Sequence, residues 1–194
     1  MKTLLTLFVL LFSSSVFGDD ISDFEIEGIS IGDSSLDYMS EDEIKKEIEK
    51  NRYMYERLTE EFGEVYLFTG LQTYEFMSFF VKTDDEKFLI YSIRGGITFI
   101  EDMKGCISKL NNIVEEISSM FQNAEKTQDT IKHGIDPTGR SIIEDVTFYF
   151  DSGDLISVQC TNFEESLRIK NNWREGLSVS VRTLQIYEWF YPNK

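Results

Sequence analysis

The chain has 194 residues, with 35 acidic against 19 basic side chains, a formal net charge of −16, two cysteines and one histidine. A field of that sign opposes binding to nucleic acid and to anionic lipid surfaces; it favours a basic partner, divalent cations or plain solubility. Two cysteines and one histidine are too few for a structural zinc site built from those ligands, and no metal or other cofactor is expected.

Taken in chain order, Met1-Lys2-Thr3 leads into the apolar run "LLTLFVLLF" (4–12) and a small-residue exit, "SSSVFG" (13–18). A bilayer span needs roughly 20 apolar residues, so this shorter run reads as a secretory signal over 1–18, cleaved after Gly18. A buried N-terminal helix is the competing reading, and the "DDISD" that follows argues against it. No cysteine follows the run to carry a lipid. No second long apolar segment appears, so the mature chain is expected in the periplasm or secreted, without stable membrane insertion. In that compartment an even pair of cysteines is expected to bridge, Cys106 to Cys160, rather than remain as two reduced core thiols. The mature length suffices for one core. It divides into an acidic lead-in and helical segment, 19–62, and an α+β domain, 63–194, forming one compact unit with 33–62. Residues 19–64 hold sixteen acids and five bases.

Residues 19–31 alternate at Phe24, Ile26, Ile29 and Ile31, which suits a short edge strand. Asp33 stands before "SSLDYM" as the cap of a helical turn. Ser40 and Glu43 form a capping box ahead of a helix over 41–58, and Gly63 closes this region. Strands are expected at 64–70, 72–81 and 87–100, with "KTDDE" (82–86) as a turn and Gly95-Gly96 as a bulge or kink. Residues 102–121 are the clearest helix, with Cys106, Leu110, Ile113 and Ile117 at helical spacing. A polar loop follows at 122–140. A hairpin comes next, 141–150 and 155–160 around "DSGD", then a second polar loop at 161–175 and a strand at 177–184. An aromatic helical turn, "QIYEWFY", ends the chain. The expected class is α+β: a largely antiparallel sheet of about five or six strands, with a central packed helix and an N-terminal helical segment.

The letters Gly32-Asp33-Ser34-Ser35 resemble the opening of the G-D-S-L serine esterases over four residues. Those enzymes need a histidine base with an aspartate three residues earlier, near the C-terminus, and a parallel sheet. Here the only histidine is His133; Asp129 lies four residues before it and about 60 residues follow. Asp33 as a cap accounts for the same letters. The acidic turns "TDDE" and "DSGD" lack the alternating ligand spacing of a calcium loop. Aromatics on both faces of the 76–80 and 148–150 runs fit either a sheet covered on both sides or a hydrophobic groove. Tyr187, Trp189, Phe190 and Tyr191 form a contact surface or a docked plug.

The block carried by Phe24, Ile26, Gly28 to Ser34, Leu36 to Tyr38, Ser40, Glu43 and Ile44 resembles a group of small exported proteins of Pelagibacter-type marine bacteria. The helix "CISKLNNIVEEISSMFQNA" and the hairpin "DVTFYFDSGDLISVQC" resemble the same group, so the likeness covers most of the mature chain. It implies an α+β periplasmic domain and brings no activity with it. A fainter likeness is to the SmpA/OmlA outer-membrane assembly lipoproteins, whose domain opens with two helices and continues in antiparallel strands. Their lipid-anchoring cysteine has no counterpart here. The function expected is that of a non-enzymatic, exported or envelope-associated binding protein that contacts a protein or a hydrophobic ligand. The alternatives are a serine hydrolase using Gly32-Asp33-Ser34 and a secreted inhibitor whose acidic 19–64 surface meets a basic target.

Overall fold

The computed structural model describes residues 20–55, 58 and 60–192. The signal expected over 1–18 and positions 56 and 57 of the expected 41–58 helix lie outside the described residues. Within them, the chain runs α1 (Glu41–Asn51), β1 (Phe62–Leu67), β2 (Phe76–Lys82), β3 (Ile90–Thr98), α2 (Met103–Met120), β4 (Glu125–Lys132), β5 (Ile142–Tyr149), β6 (Leu155–Asn162), α3 (Glu165–Asn171), β7 (Gly176–Arg182) and α4 (Leu184–Phe190). The strands form one antiparallel sheet in the order β1-β2-β3-β7-β6-β5-β4. A first meander builds one edge and ends at β3. Helix α2 then carries the chain to the far edge, and a second meander returns to lay β7 beside β3.

Strand side chains alternate between the two faces of a sheet, and on one face they are apolar. Val65, Phe79, Ile93, Val179, Val181, Ile156, Val158 and Phe148 point there and are buried. Cys106, Leu110, Ile113 and Ile117 cover them from α2, each about one helical turn after the last. Each such side chain contributes roughly 1.5–3 kcal/mol on leaving water. Asp102 starts α2 by accepting the Gly105 N–H at 2.9 Å. The Cys106–Cys160 disulfide, with Cα atoms 6.0 Å apart, ties its first turns to β6.

The acidic lead-in belongs to the same core through Ile21, Ile26, Ile29 and Ile44. It also has a fastening role. The Glu27 carboxylate accepts N–H groups of Gln72, Thr73 and Tyr74 at 2.5–3.0 Å, holding the β1–β2 connection. The capping box is present, with Ser40 N–H on Glu43 Oε2 at 2.9 Å and Glu43 N–H on Ser40 Oγ at 3.4 Å. Gly63 lies inside β1, where a Cβ would come 2.6 Å from Ile48 of α1; its bareness lets the helix close on the sheet edge.

Several expectations are corrected. The sheet has seven strands, not five or six, because the 122–140 segment contains β4. That edge strand is exposed at nearly every position and pairs only with β5, so no apolar alternation marks it. The 161–175 loop contains α3. In place of the edge strand expected over 19–31, residues 20–31 form a 3-10 turn (Ile21–Asp23) and an isolated bridge, Ile26 with Ile29. Helix α1 stops at Asn51 and gives way to a 3-10 turn, Arg52–Tyr55. The register irregularity of β2 and β3 falls at Phe80/Val81, not at the glycines. Gly95 and Gly96 are bare because the Tyr74 and Phe76 rings lie on them. Ser34, not Asp33, caps the turn Ser35–Asp37, while the Asp33 carboxylate accepts the Ser30 N–H and the Tyr38 hydroxyl.

Candidate ligand-binding face

The second face of the sheet is polar. Across it, Ser78, Arg94, Ser180, Ser157 and Thr147 stand opposite one another in register, and the next row reads Phe76, Gly96, Ser178, Gln159 and Asp145. Helix α4, capped by Thr183, closes one end of this face. Its Ile186 and Trp189 pack on Phe62 and Phe80, and Tyr55 joins them. The rest is floored by small hydroxyl side chains that are themselves buried: Ser78, Ser92, Thr147, Ser157 and Ser180.

A polar group removed from water needs a partner, and most of this floor has one. Ser92 donates to the Val181 carbonyl at 2.8 Å, Ser157 and Ser180 share a bond of 3.1 Å, and Asp145 accepts from Gln159 at 2.7 Å and Thr147 at 2.9 Å. Glu64 is buried and accepts the Tyr55 hydroxyl at 2.5 Å, with Arg94 Nη2 3.4 Å away. Arg94 Nη2 also donates to the Tyr66 hydroxyl at 3.0 Å. Burial, reinforced by the Glu64 carboxylate, holds both tyrosine hydroxyls above their usual pKa. Two atoms on this face have no partner among the described residues: Ser78 Oγ and Arg94 Nε.

At the end away from α4 the same face opens into a cavity of about 240 Å³. Its floor is Ser178 and Thr161. Phe76 and Phe163 supply apolar wall, Ile97 and Leu177 border it from strand positions whose side chains belong to the core face, and Arg94, Arg174, His133 and Glu175 supply the charged and titratable groups. Gly176 makes this end possible. At φ 142° it sits in a conformation that side-chain-bearing residues rarely adopt, and a Cβ would meet the backbone of Ile97 and Phe99. His133 follows β4 and lies against Phe163 at 4.9 Å and Trp173 at 6.4 Å between ring centroids. Burial lowers its pKa from the ordinary 6.5, against a smaller opposing pull from Asp136, so the ring is neutral at pH 7. Its Nδ1 accepts the Ile135 N–H at 3.3 Å, which leaves the proton on Nε2. Glu175 is buried and occupied by the Glu101 N–H at 2.7 Å and Arg168 Nε at 3.5 Å. Arg174 is exposed, 3.8 Å from Glu75.

The serine and histidine weighed for esterase chemistry are not brought together. The Ser34 hydroxyl donates to the Lys87 carbonyl at 2.6 Å and accepts the Leu36 N–H at 3.2 Å, beside the start of β3. His133 lies by the other end of the sheet, where β3 finishes; nine residues of strand span about 30 Å. Of the aromatic tail, Trp189 is buried, Tyr187 and Phe190 are half-buried and Tyr191 is exposed. Arg94, Arg174 and Ser178 escaped the sequence reading. For Arg94 and Ser178 the signal was present in "YSIRGG" and "LSVSVR", where serine and arginine alternate with valine and isoleucine and so define a polar second face; Arg174, in the preceding connection, carried none. No family model, curated protein or solved structure gives a significant match to this chain.

Proposed function

We propose that this chain is a non-enzymatic, exported or envelope-associated binding protein that holds a small ligand in the cavity on the open face of its sheet. The observation that carries this reading is the cavity itself. It is a concave space on rigid strands, with apolar wall and a few convergent polar groups, the usual make-up of a small-ligand site. Export is supported by the N-terminal sequence, by the resemblance to exported marine bacterial proteins, and by the disulfide, which suits an oxidising compartment. No helix of the described residues is long and apolar enough to cross a membrane.

The test is an amide NMR titration of the purified protein with a panel of small neutral, anionic and cationic compounds. Saturable shifts are expected at Ile97, Thr161, Gly176 and Ser178, and a Ser178→Phe variant, which fills the space, should abolish them. Shifts that survive Ser178→Phe, or that cluster only around α4, overturn the site. Each bound compound should be recovered chemically unchanged; turnover would overturn the non-enzymatic part.

A further inference from the structure

We infer that the ligand of this cavity is a small organic carboxylate with an apolar body, gripped at its charged end by Arg94 and Arg174. The inference rests on the cavity being the binding site and adds the chemical class. The groups that line it are donors with capacity to spare. Among the described residues the Ser178 and Thr161 hydroxyls have no hydrogen bond to protein, and all the hydrogen bonds of Arg94 leave from Nη2, which keeps Nη1 unengaged. His133 presents Nε2–H. The one carboxylate in the lining, Glu175, is already taken up by Glu101 and Arg168. A cationic ligand would be repelled by the arginines, and a neutral one would answer these donors with bonds weaker than the charge-assisted bonds of a carboxylate.

Arg94 is also held ready. Glu64 and Tyr66 fix one side of the guanidinium, and its carbon lies 5.6 Å from the Phe76 ring centre, so little side-chain freedom is lost on binding. Glu64 offsets much of its charge, which suits a single negative charge better than a phosphate dianion. The apolar wall of Phe76 and Phe163 calls for a body as well as a head group. An apolar cavity of about 150 Å³ accommodates benzene, so about 240 Å³ has room for a ring or a short chain plus a carboxylate.

The experiment compares benzoate, its neutral isostere benzamide, and inorganic phosphate at fixed pH and ionic strength, on the wild type and on Arg174→Gln, followed by the amide shifts of Ile97, Thr161 and Ser178. Benzoate is expected to bind roughly 10-fold or more tightly than benzamide. Arg174→Gln should weaken benzoate about 10-fold or more and leave benzamide unchanged, as loss of a hydrogen bond to a charged group implies. Arg94→Gln should weaken benzoate further; because it strands the buried Glu64, the exposed Arg174 variant and the isostere comparison decide if that protein fails to fold. Equal binding of benzoate and benzamide overturns the carboxylate while leaving the cavity as the site. Phosphate binding as tightly as benzoate overturns the apolar body. If benzoate fails while another compound of the wider panel moves the same amides, the class falls and the proposed function stands. If nothing binds there, both fall.

Discussion

Removing the disulfide with Cys106→Ala/Cys160→Ala should lower stability by about 4 kcal/mol. The bridge spans a sequence separation of 54 residues. Closing a loop of that length removes roughly 14 cal/mol/K of unfolded-chain entropy, which is about 4 kcal/mol at 25 °C. Both cysteines are fully buried against the sheet, so the lost sulfurs add a packing cost of the same sign. For a domain of this size each kcal/mol moves the melting temperature by roughly 2–4 °C, giving an expected drop of about 8–16 °C. Circular dichroism melts of wild type and double variant, with denaturant unfolding to check for an unchanged m-value, measure it. A companion thiol titration in guanidinium should find no reactive thiol before reduction and two after. A drop under about 4 °C would refute the chain-entropy reasoning, and two thiols without reductant would refute the bridge.

Gly176→Ala should cost roughly 2–3 kcal/mol or more, because backbone atoms of Ile97 and Phe99 occupy the place of the new Cβ and a positive φ is lost; a melt within 2 °C of wild type would contradict this. Asp136 accepts the Thr138 hydroxyl and the N–H groups of Ser141, Thr138 and Arg140, and these bonds, the Thr138 hydroxyl foremost, outweigh desolvation and hold its pKa well below the ordinary 3.8. A depressed carboxyl pKa stabilises fully above the unfolded value and loses that contribution as pH falls below it. Protection of the Ser141 and Arg140 amides from hydrogen exchange should therefore persist at pH 5 and weaken only under strongly acidic conditions. Asp136→Asn should show weakened protection at every pH, and an unaltered loop would sink the assignment. Burial first, then neighbouring carboxylates, pushes Tyr38 and Tyr74 up to about 12 and raises Tyr55 and Tyr66. In an ultraviolet titration these four should ionise above the ordinary tyrosine value of 10, and the stability they lend should be complete below pH 10 and fall as pH rises toward 12. A single transition near pH 10 in the folded protein would count against that burial.

The elements that were legible in the sequence are those whose burial is one-sided and complete. Cys106, Leu110, Ile113 and Ile117 announce α2 because all four enter one core. Ser40 and Glu43 announce the start of α1 because the cap is a local, two-residue bargain. Strand β4 was hidden because "EKTQDTIK" answers only to its backbone pairing with β5, which leaves no trace in hydropathy. The glycines at 95 and 96 looked like a bulge, whereas their role is to receive two rings from the preceding strand and its approach. The cavity was hidden for a related reason. Arg94 and Ser178 lie more than eighty residues apart in sequence, and only the pairing of β3 with β7 makes them neighbours. Local patterns mark which face a residue takes, and the partner across the sheet is set by topology.

That one pairing has a kinetic meaning. Every other ladder in the sheet joins strands consecutive in sequence, so the chain is a three-stranded stack and a four-stranded stack, each with low contact order. The ladder from Ser92 opposite Arg182 to Thr98 opposite Gly176 closes loops of about ninety to eighty residues. It therefore carries the largest loop-closure cost and is the pairing expected to limit the folding rate. The cavity straddles this seam, with Arg94 and Ile97 on one stack and Thr161 and Ser178 on the other. Neither stack alone carries the whole of the proposed site. On the proposed function, a ligand held there would clasp two parts of the sheet that share a single strand ladder, and its affinity would stabilise only the docked molecule.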